Sequence, residues 1–213
     1  MPRLREIPRK DLHADADSVF TLLFEERDPT ETPGTGTGTP GNWWSVFAGV
    51  PDIFDHAIAG FQIYQNPERE LAPTLRELGQ ARAGYACASK FVFSQHCKGC
   101  RDAGVREEQI VAIPAWTIAN CFTPLERAVL AFTDALAFEH GRVSNEVIAQ
   151  LKDELSDAAI LELTYVISMY VMHAGISRAL RLEYDDVADP IIEIPAPNGA
   201  KGIAETLYDL PAT

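Results

Sequence analysis

The chain has 213 residues, 31 acidic against 18 basic, and a formal net charge of −13. That length buries a proper core in a single domain. An acidic balance without any Lys/Arg-rich run argues against a nucleic-acid backbone or an anionic membrane as partner, leaving small molecules or other protein subunits. No apolar run is expected to span a bilayer, and the start, Met1-Pro2-Arg3-Leu4-Arg5-Glu6, lacks the apolar core of a secretory signal, so a cytoplasmic location is expected. Four cysteines in a chain this size do not make a disulfide scaffold and fit a reducing compartment.

In chain order, Ser18 to Glu26 is a short apolar stretch that can form a helix. Thr30 to Gly41 is dominated by glycine, threonine and proline and reads as a flexible loop, either a lid over a site or a solvated connection. An aromatic cluster, Trp43, Trp44 and Phe47, follows it. From Pro51, apolar residues recur at three and four (Ile53, Phe54, Ala57, Ile58, Phe61), the period of an amphipathic helix. Thr74 and Glu77 form a capping-box pattern for the next helix, which Gly84 weakens or ends before Ser89 opens another through Asp102. Thr123, Pro124 and Glu126 are a stronger start signal, for a helix to about His140 that Gly141 stops. Ser144 caps a short helix through Leu155, and Ser156 or Asp157 caps a long one over Ala159 to Leu182. That last helix is apolar nearly all round (Leu161, Tyr165, Val166, Ile167, Met169, Met172), as expected of a central helix or a subunit interface. No alternating strand pattern competes, so the fold class is all-α. The expected organisation is an N-terminal extension over 1–42, a helical domain over 43–184, and an extended, proline-containing tail over 185–213 that lies on a neighbouring surface.

The chemistry concentrates between Glu77 and His96. Ser89 stands twelve residues after Glu77, Val92 three further on and His96 four beyond that, followed at once by Cys97-Lys98-Gly99-Cys100. This window resembles the carboxymuconolactone decarboxylase and alkylhydroperoxidase D-like family. Its peroxidase branch has the same glutamate and histidine, but with a Cys-x-x-Cys pair where this chain has Ser89 and Val92. The resemblance runs on in order through Ala103-Gly104-Val105, Pro114-Ala115-Trp116, Phe122 to Ala128, Val143-Ser144 and Ile160 to Thr164. It implies a helical bundle that assembles as a homo-oligomer with its site near subunit contacts. In the peroxidases one thiolate attacks the peroxide and the second resolves the sulfenic acid. A serine hydroxyl cannot cycle in this way and a valine offers no polar atom, so that activity does not carry over by name. Decarboxylase members lack the thiols too and work by acid/base chemistry on a small carboxylated lactone.

Three readings follow. In the first, His96 is the general acid/base of a cofactor-free enzyme, Glu77 its partner, and Ser89, Arg82 and Tyr85 contact a small carboxylated substrate, with Arg82 holding the oxyanion formed as carbon dioxide leaves. Each residue also has a plainer explanation: a satisfied core histidine, a capping glutamate, an arginine paired with a structural acid. In the second, Cys100 attacks peroxide and Cys97 resolves it, since Ser89, His96 and Cys100 fall within about 40° on one helix face. Against this, both thiols lie well inside the helix and are expected to be buried and structural. In the third, the chain is a non-catalytic oligomeric binding protein. Neither metal nor cofactor is expected, because tetrahedral zinc needs two ligands beyond Cys97 and Cys100, and Cys87 and Cys121 are distant in sequence. Arg101 could bind a substrate carboxylate, and His173 and Ser177 lie one helical turn apart on the last helix.

Overall fold

A computed structural model describes residues 1–63, 66, 68–185 and 191–197. Those residues are helical and contain no strand: α1 (Ala14–Phe24), α2 (Asn42–Phe47), α3 (Pro51–Gln62), α4 (Pro73–Ala86), α5 (Lys90–Asp102), α6 (Glu107–Ala112), a 3-10 segment (Ile113–Ile118), α7 (Pro124–Phe138), α8 (Asn145–Lys152) and α9 (Asp157–Leu180). Packing divides them into two units. One comprises Met1–Pro67 with the described parts of Ser177–Ala188 and Pro195–Thr213, and the other Glu68–Ile176 with the described part of Asp189–Ile194.

In the first unit, Phe20, Phe24, Trp43, Trp44 and Phe54 are buried, and the Trp43 and Phe47 rings stack at 3.8 Å. The glycine- and threonine-rich loop, which sequence alone suggests is flexible, is closed upon itself. Backbone bonds run from Gly34 to Pro40 and from Thr35 to Thr39, and the Thr35 hydroxyl meets those of Thr37 and Thr39. Threonine supplies the polar contacts that an apolar residue would have supplied by burial. The loop is then fastened by Glu183, whose carboxylate accepts from the backbone N–H groups of Gly41 (2.8 Å) and Trp43 (2.7 Å), while the Glu183 N–H donates to the Asn42 side chain (2.7 Å).

In the second unit, the start signals at Ser89, Thr123, Ser144 and Ser156 act as read. Each hydroxyl accepts from the N–H three residues on, and Glu126 returns the bond to the Thr123 N–H at 2.7 Å. The signal at Thr74 does not act so. Pro73 takes the first helical position, Ala72 precedes it without a side-chain bond, and Glu77 turns inward instead of capping. Gly84 does not end α4 either. A Cβ there would lie 2.4 Å from the Phe93 nitrogen, so the glycine is what allows α4 and α5 to pack backbone to backbone.

α9 corrects the expectation about membrane-length segments. Its 24 residues include a window of mean hydropathy 1.4, long and apolar enough to cross a bilayer by length and composition. Packing accounts for much of that character, since Ala159, Leu163 and Ile167 join Leu75, Ala83, Val129 and Phe132 in one buried cluster. Burial on every side is not reached, because Leu161, Tyr165 and Met172 are 69%, 49% and 46% exposed. Of the C-terminal tail, Ile191 to Ile194 lie along α5. The Ile194 N–H meets the Ser94 hydroxyl (2.9 Å), the Ile194 carbonyl accepts from the buried Lys98 ammonium (3.0 Å), and Glu193 pairs with Arg101 (2.6 and 2.8 Å). Most of the remaining tail expected over 185–213 lies outside the described residues.

Candidate functional site

Because α4 and α5 pack so closely, the second turn of α4 faces the middle of α5. Glu77 and His96 meet there, with His96 Nδ1 2.8 Å from Glu77 Oε2 and both side chains buried. The other carboxylate oxygen, Oε1, accepts from Arg76 Nε (3.2 Å) and Nη2 (3.1 Å). A buried carboxylate needs such partners, since desolvation penalises its charge. Here burial works to raise the Glu77 pKa, but the charge and hydrogen bond of His96, followed by those of Arg76, outweigh it and hold the carboxyl below its usual range. Glu77 is therefore an anion that accepts from Nδ1–H, which leaves Nε2 as the nitrogen able to exchange protons.

Room for that carboxylate is made by a missing side chain. A Cβ on Gly99 would come within 2.2 Å of Glu77 Oε2 and 2.7 Å of its Cδ, so Gly99, one turn beyond His96, is the notch into which the carboxylate fits. On the imidazole's other side, Tyr170 of α9 packs edge-on, with ring centroids 4.1 Å apart and planes at 84°. Its own ring lies 5.9 Å from that of His173, which is buried.

The structure does not bring the remaining candidates to this pair as expected. Arg82 is engaged elsewhere. Its guanidinium holds Asp134 through two bonds (2.6 and 3.0 Å) and donates to the Ile113 (3.1 Å) and Pro114 (3.3 Å) carbonyls, while Trp116 donates to the same aspartate (2.9 Å). A guanidinium committed in this way matches the plainer of the two explanations, an arginine paired with a structural acid. Ser89 is fully buried, and its oxygen caps α5 by accepting from the Val92 N–H (3.1 Å). Tyr85 is half-buried between the Phe93 ring (5.6 Å) and the Arg82 guanidinium (5.3 Å). Arg101 is spent on Glu107 and Glu193.

Cys97 and Cys100 are free thiols without exposure, packed in a core cluster with Leu78, Phe93, Val105 and Leu130. Burial pushes both thiols well above their usual range, with Glu193 adding to the effect at Cys97 and Glu77 at Cys100. Such thiols resist forming the thiolate that peroxide chemistry needs. Among the described residues, no group of three or more His, Cys, Asp or Glu side chains is arranged to hold a metal ion.

Sequence reasoning missed Gly99, Arg76 and Tyr170. Gly99 was hidden inside the Cys97-to-Cys100 spacing, and Arg76 stands next to a glutamate that a capping role explained away. Tyr170 lies seventy-four residues after His96 with no local signal to connect them.

Residues 54–135 match the carboxymuconolactone decarboxylase family profile. Among curated proteins none matches the chain. Solved structures do. An Agrobacterium tumefaciens protein of unknown function, proposed as an AhpD-type antioxidant defence protein, is 21% identical with a TM-score of 0.51, over 65% of this chain and 89% of its own. The debrominase Bmp8, as a cysteine-to-alanine variant bound to 2,3,4-tribromopyrrole, is 16% identical with a TM-score of 0.64, over 85% and 92%. Its apo form gives 14% and 0.63, over 95% and 96%. At these identities the likeness is one of fold.

Proposed function

Since residues 54–135 match the carboxymuconolactone decarboxylase family profile and the fold is shared with an AhpD-type protein, we propose that the chain is an acid/base enzyme of that family in which His96 carries a proton to or from a small substrate. The observation that carries this reading is the buried Glu77–His96 pair, closed at 2.8 Å and seated against Gly99. Glu77 holds Nδ1–H, fixes the tautomer, and stabilises positive charge as it develops on the ring; Nε2 then takes the proton and returns it. In a decarboxylation, Nε2 takes the proton of the substrate's carboxyl group, the bond from the α-carbon to the carboxylate breaks, carbon dioxide leaves, the electron pair of that bond remains as an enolate, and the imidazolium returns the proton to carbon. The enolate oxygen must be held by a group other than Arg82.

Assay against a panel of small carboxylated lactones tests this, with brominated pyrroles included because a debrominase shares the fold. His96→Gln is expected to lower turnover by about a hundredfold or more with unchanged helical circular dichroism. Full activity in that variant overturns the assignment. The thiol-peroxidase reading is weakened by burial of Cys97 and Cys100 and by their raised pKa values. The exposed apolar positions Leu161, Tyr165 and Met172 of α9 support self-association, which light scattering measures directly.

A further inference from the structure

A histidine ring turns about Cβ–Cγ in a broad, roughly two-fold torsional well, so a single hydrogen bond at Nδ1 sets its mean plane but holds it softly and lets Nε2 rock through an arc. At His96 the Glu77 contact supplies that bond, and the Tyr170 ring, 4.1 Å away and 84° from coplanar, occupies the space through which the imidazole would rock. Tyr170 is in turn held. It packs against the buried cluster of Leu163, Ile167, Phe132 and Ala83, and His173 lies beside its ring. A ring anchored in the core of a long helix is a stiff wall, as positioning of a catalytic group requires.

We propose that Tyr170 is a positioning residue for His96: its ring limits the rocking of the imidazole and so keeps Nε2 aimed at the substrate. This deepens the acid/base reading and rests on it. The two elements of the site then have separate tasks, Glu77 choosing the tautomer and Tyr170 holding the direction.

The test uses the full chain labelled with nitrogen-15 at histidine. In the parent protein, the His96 nitrogens are expected to show one tautomer, protonated at Nδ1, with relaxation as slow as that of the backbone. Tyr170→Phe keeps the ring and should keep both the single-tautomer pattern and a rigid His96. Tyr170→Leu should give a mobile His96 ring and lower kcat roughly a hundredfold, the scale expected of a displaced catalytic group, with KM about unchanged. A rigid, unaltered His96 ring in Tyr170→Leu overturns the proposal, as does a His96 ring in Tyr170→Phe as mobile as in the leucine variant. If Tyr170→Leu does not fold, the parent and Tyr170→Phe decide: a mobile ring in the parent or loss of the pattern in Tyr170→Phe overturns it, and rigid rings in both uphold it. Because the spectrum needs no substrate, failure here leaves the acid/base reading standing, whereas full activity in His96→Gln removes that reading whatever Tyr170 does.

Discussion

Glu77 and Glu183 are both buried carboxylates, 3% and 6% exposed, and their proton affinities move in opposite directions. Glu77 has His96 and Arg76 as partners, and their charge and hydrogen bonds overcome the cost of burial, so its pKa is lowered. Around Glu183 the donors are neutral: the N–H groups of Gly41 and Trp43 and the Thr39 side chain. Among the described residues no cation pairs with it, burial dominates, Glu6 adds repulsion, and its pKa is pushed up to about 7. Burial alone therefore does not say what a carboxylate is for. A cation within bonding distance makes Glu77 a fixed anion suited to orienting a base, while neutral donors make Glu183 a fastening whose charge varies near neutral pH.

The contrast is broken most severely at Glu77. Glu77→Gln removes the carboxylate charge from beside the buried His96 and the partly buried Arg76 and is expected to destabilise the protein by about 3–5 kcal/mol, read from urea unfolding, because removing one member of a buried pair leaves the other uncompensated. A loss below about 1 kcal/mol, the scale of an exposed pair, would show that the pair is solvated in solution.

Next comes pH. The raised Glu183 contributes stability that is fully present below the ordinary carboxyl value of 4.5 and is lost as pH rises through about 7. Glu77, lowered, contributes stability that is present above 4.5 and lost as pH falls through its folded value. A tenfold change in proton affinity is worth roughly 1.4 kcal/mol, so a rise from 4.5 to about 7 puts the Glu183 effect on the order of 3 kcal/mol. Melting temperatures between pH 4.5 and 8 should show this loss in the parent and a flatter profile in Glu183→Gln; identical profiles would make Glu183 an ordinary carboxylate.

Gly99→Ala sharpens the comparison from the steric side. The added methyl must displace the Glu77 carboxylate, costing about 1–3 kcal/mol as overpacking does, and the histidine nitrogen-15 spectrum should lose its single-tautomer pattern. At Arg82, lysine cannot reproduce the two-pronged bond to Asp134, so Arg82→Lys should cost about 1–2 kcal/mol while turnover per folded molecule is unchanged. Collapse of turnover with stability intact would return Arg82 to the substrate. The smallest effect is expected from Cys100→Ala, about 1 kcal/mol or less of lost packing, together with parent thiols inert to an aromatic disulfide reagent until the protein unfolds.

Much of the helical fold was legible because its signals are local. A hydroxyl three residues before an N–H that needs a partner is visible in a string of letters, as at Ser89, Thr123, Ser144 and Ser156. Thr74 failed because two local signals competed, and proline at the neighbouring position won. The Glu77–His96 pairing was legible only through the family resemblance, for nothing near Glu77 separates an inward carboxylate from a capping one. Arg82 could not be resolved from sequence, since its partner Asp134 lies fifty-two residues away among many acids. The hydrogen bonds within the loop at 30–41 were not legible because composition measures what can be buried and overlooks what threonines can bond to each other.

Gly99 has a use beyond this molecule. A glutamate and a histidine nineteen residues apart are a weak pattern, satisfied by chance in many helical chains, because it constrains only two letters. The notch adds a third at fixed distance: glutamate, eighteen residues, histidine, two residues, glycine. A chain that keeps the first two letters but carries a side chain at the third has no space for the carboxylate where this one sits. The glycine, silent in any chemical inventory, thus becomes the letter by which descendants of this site can be sorted from chains that share only its helices.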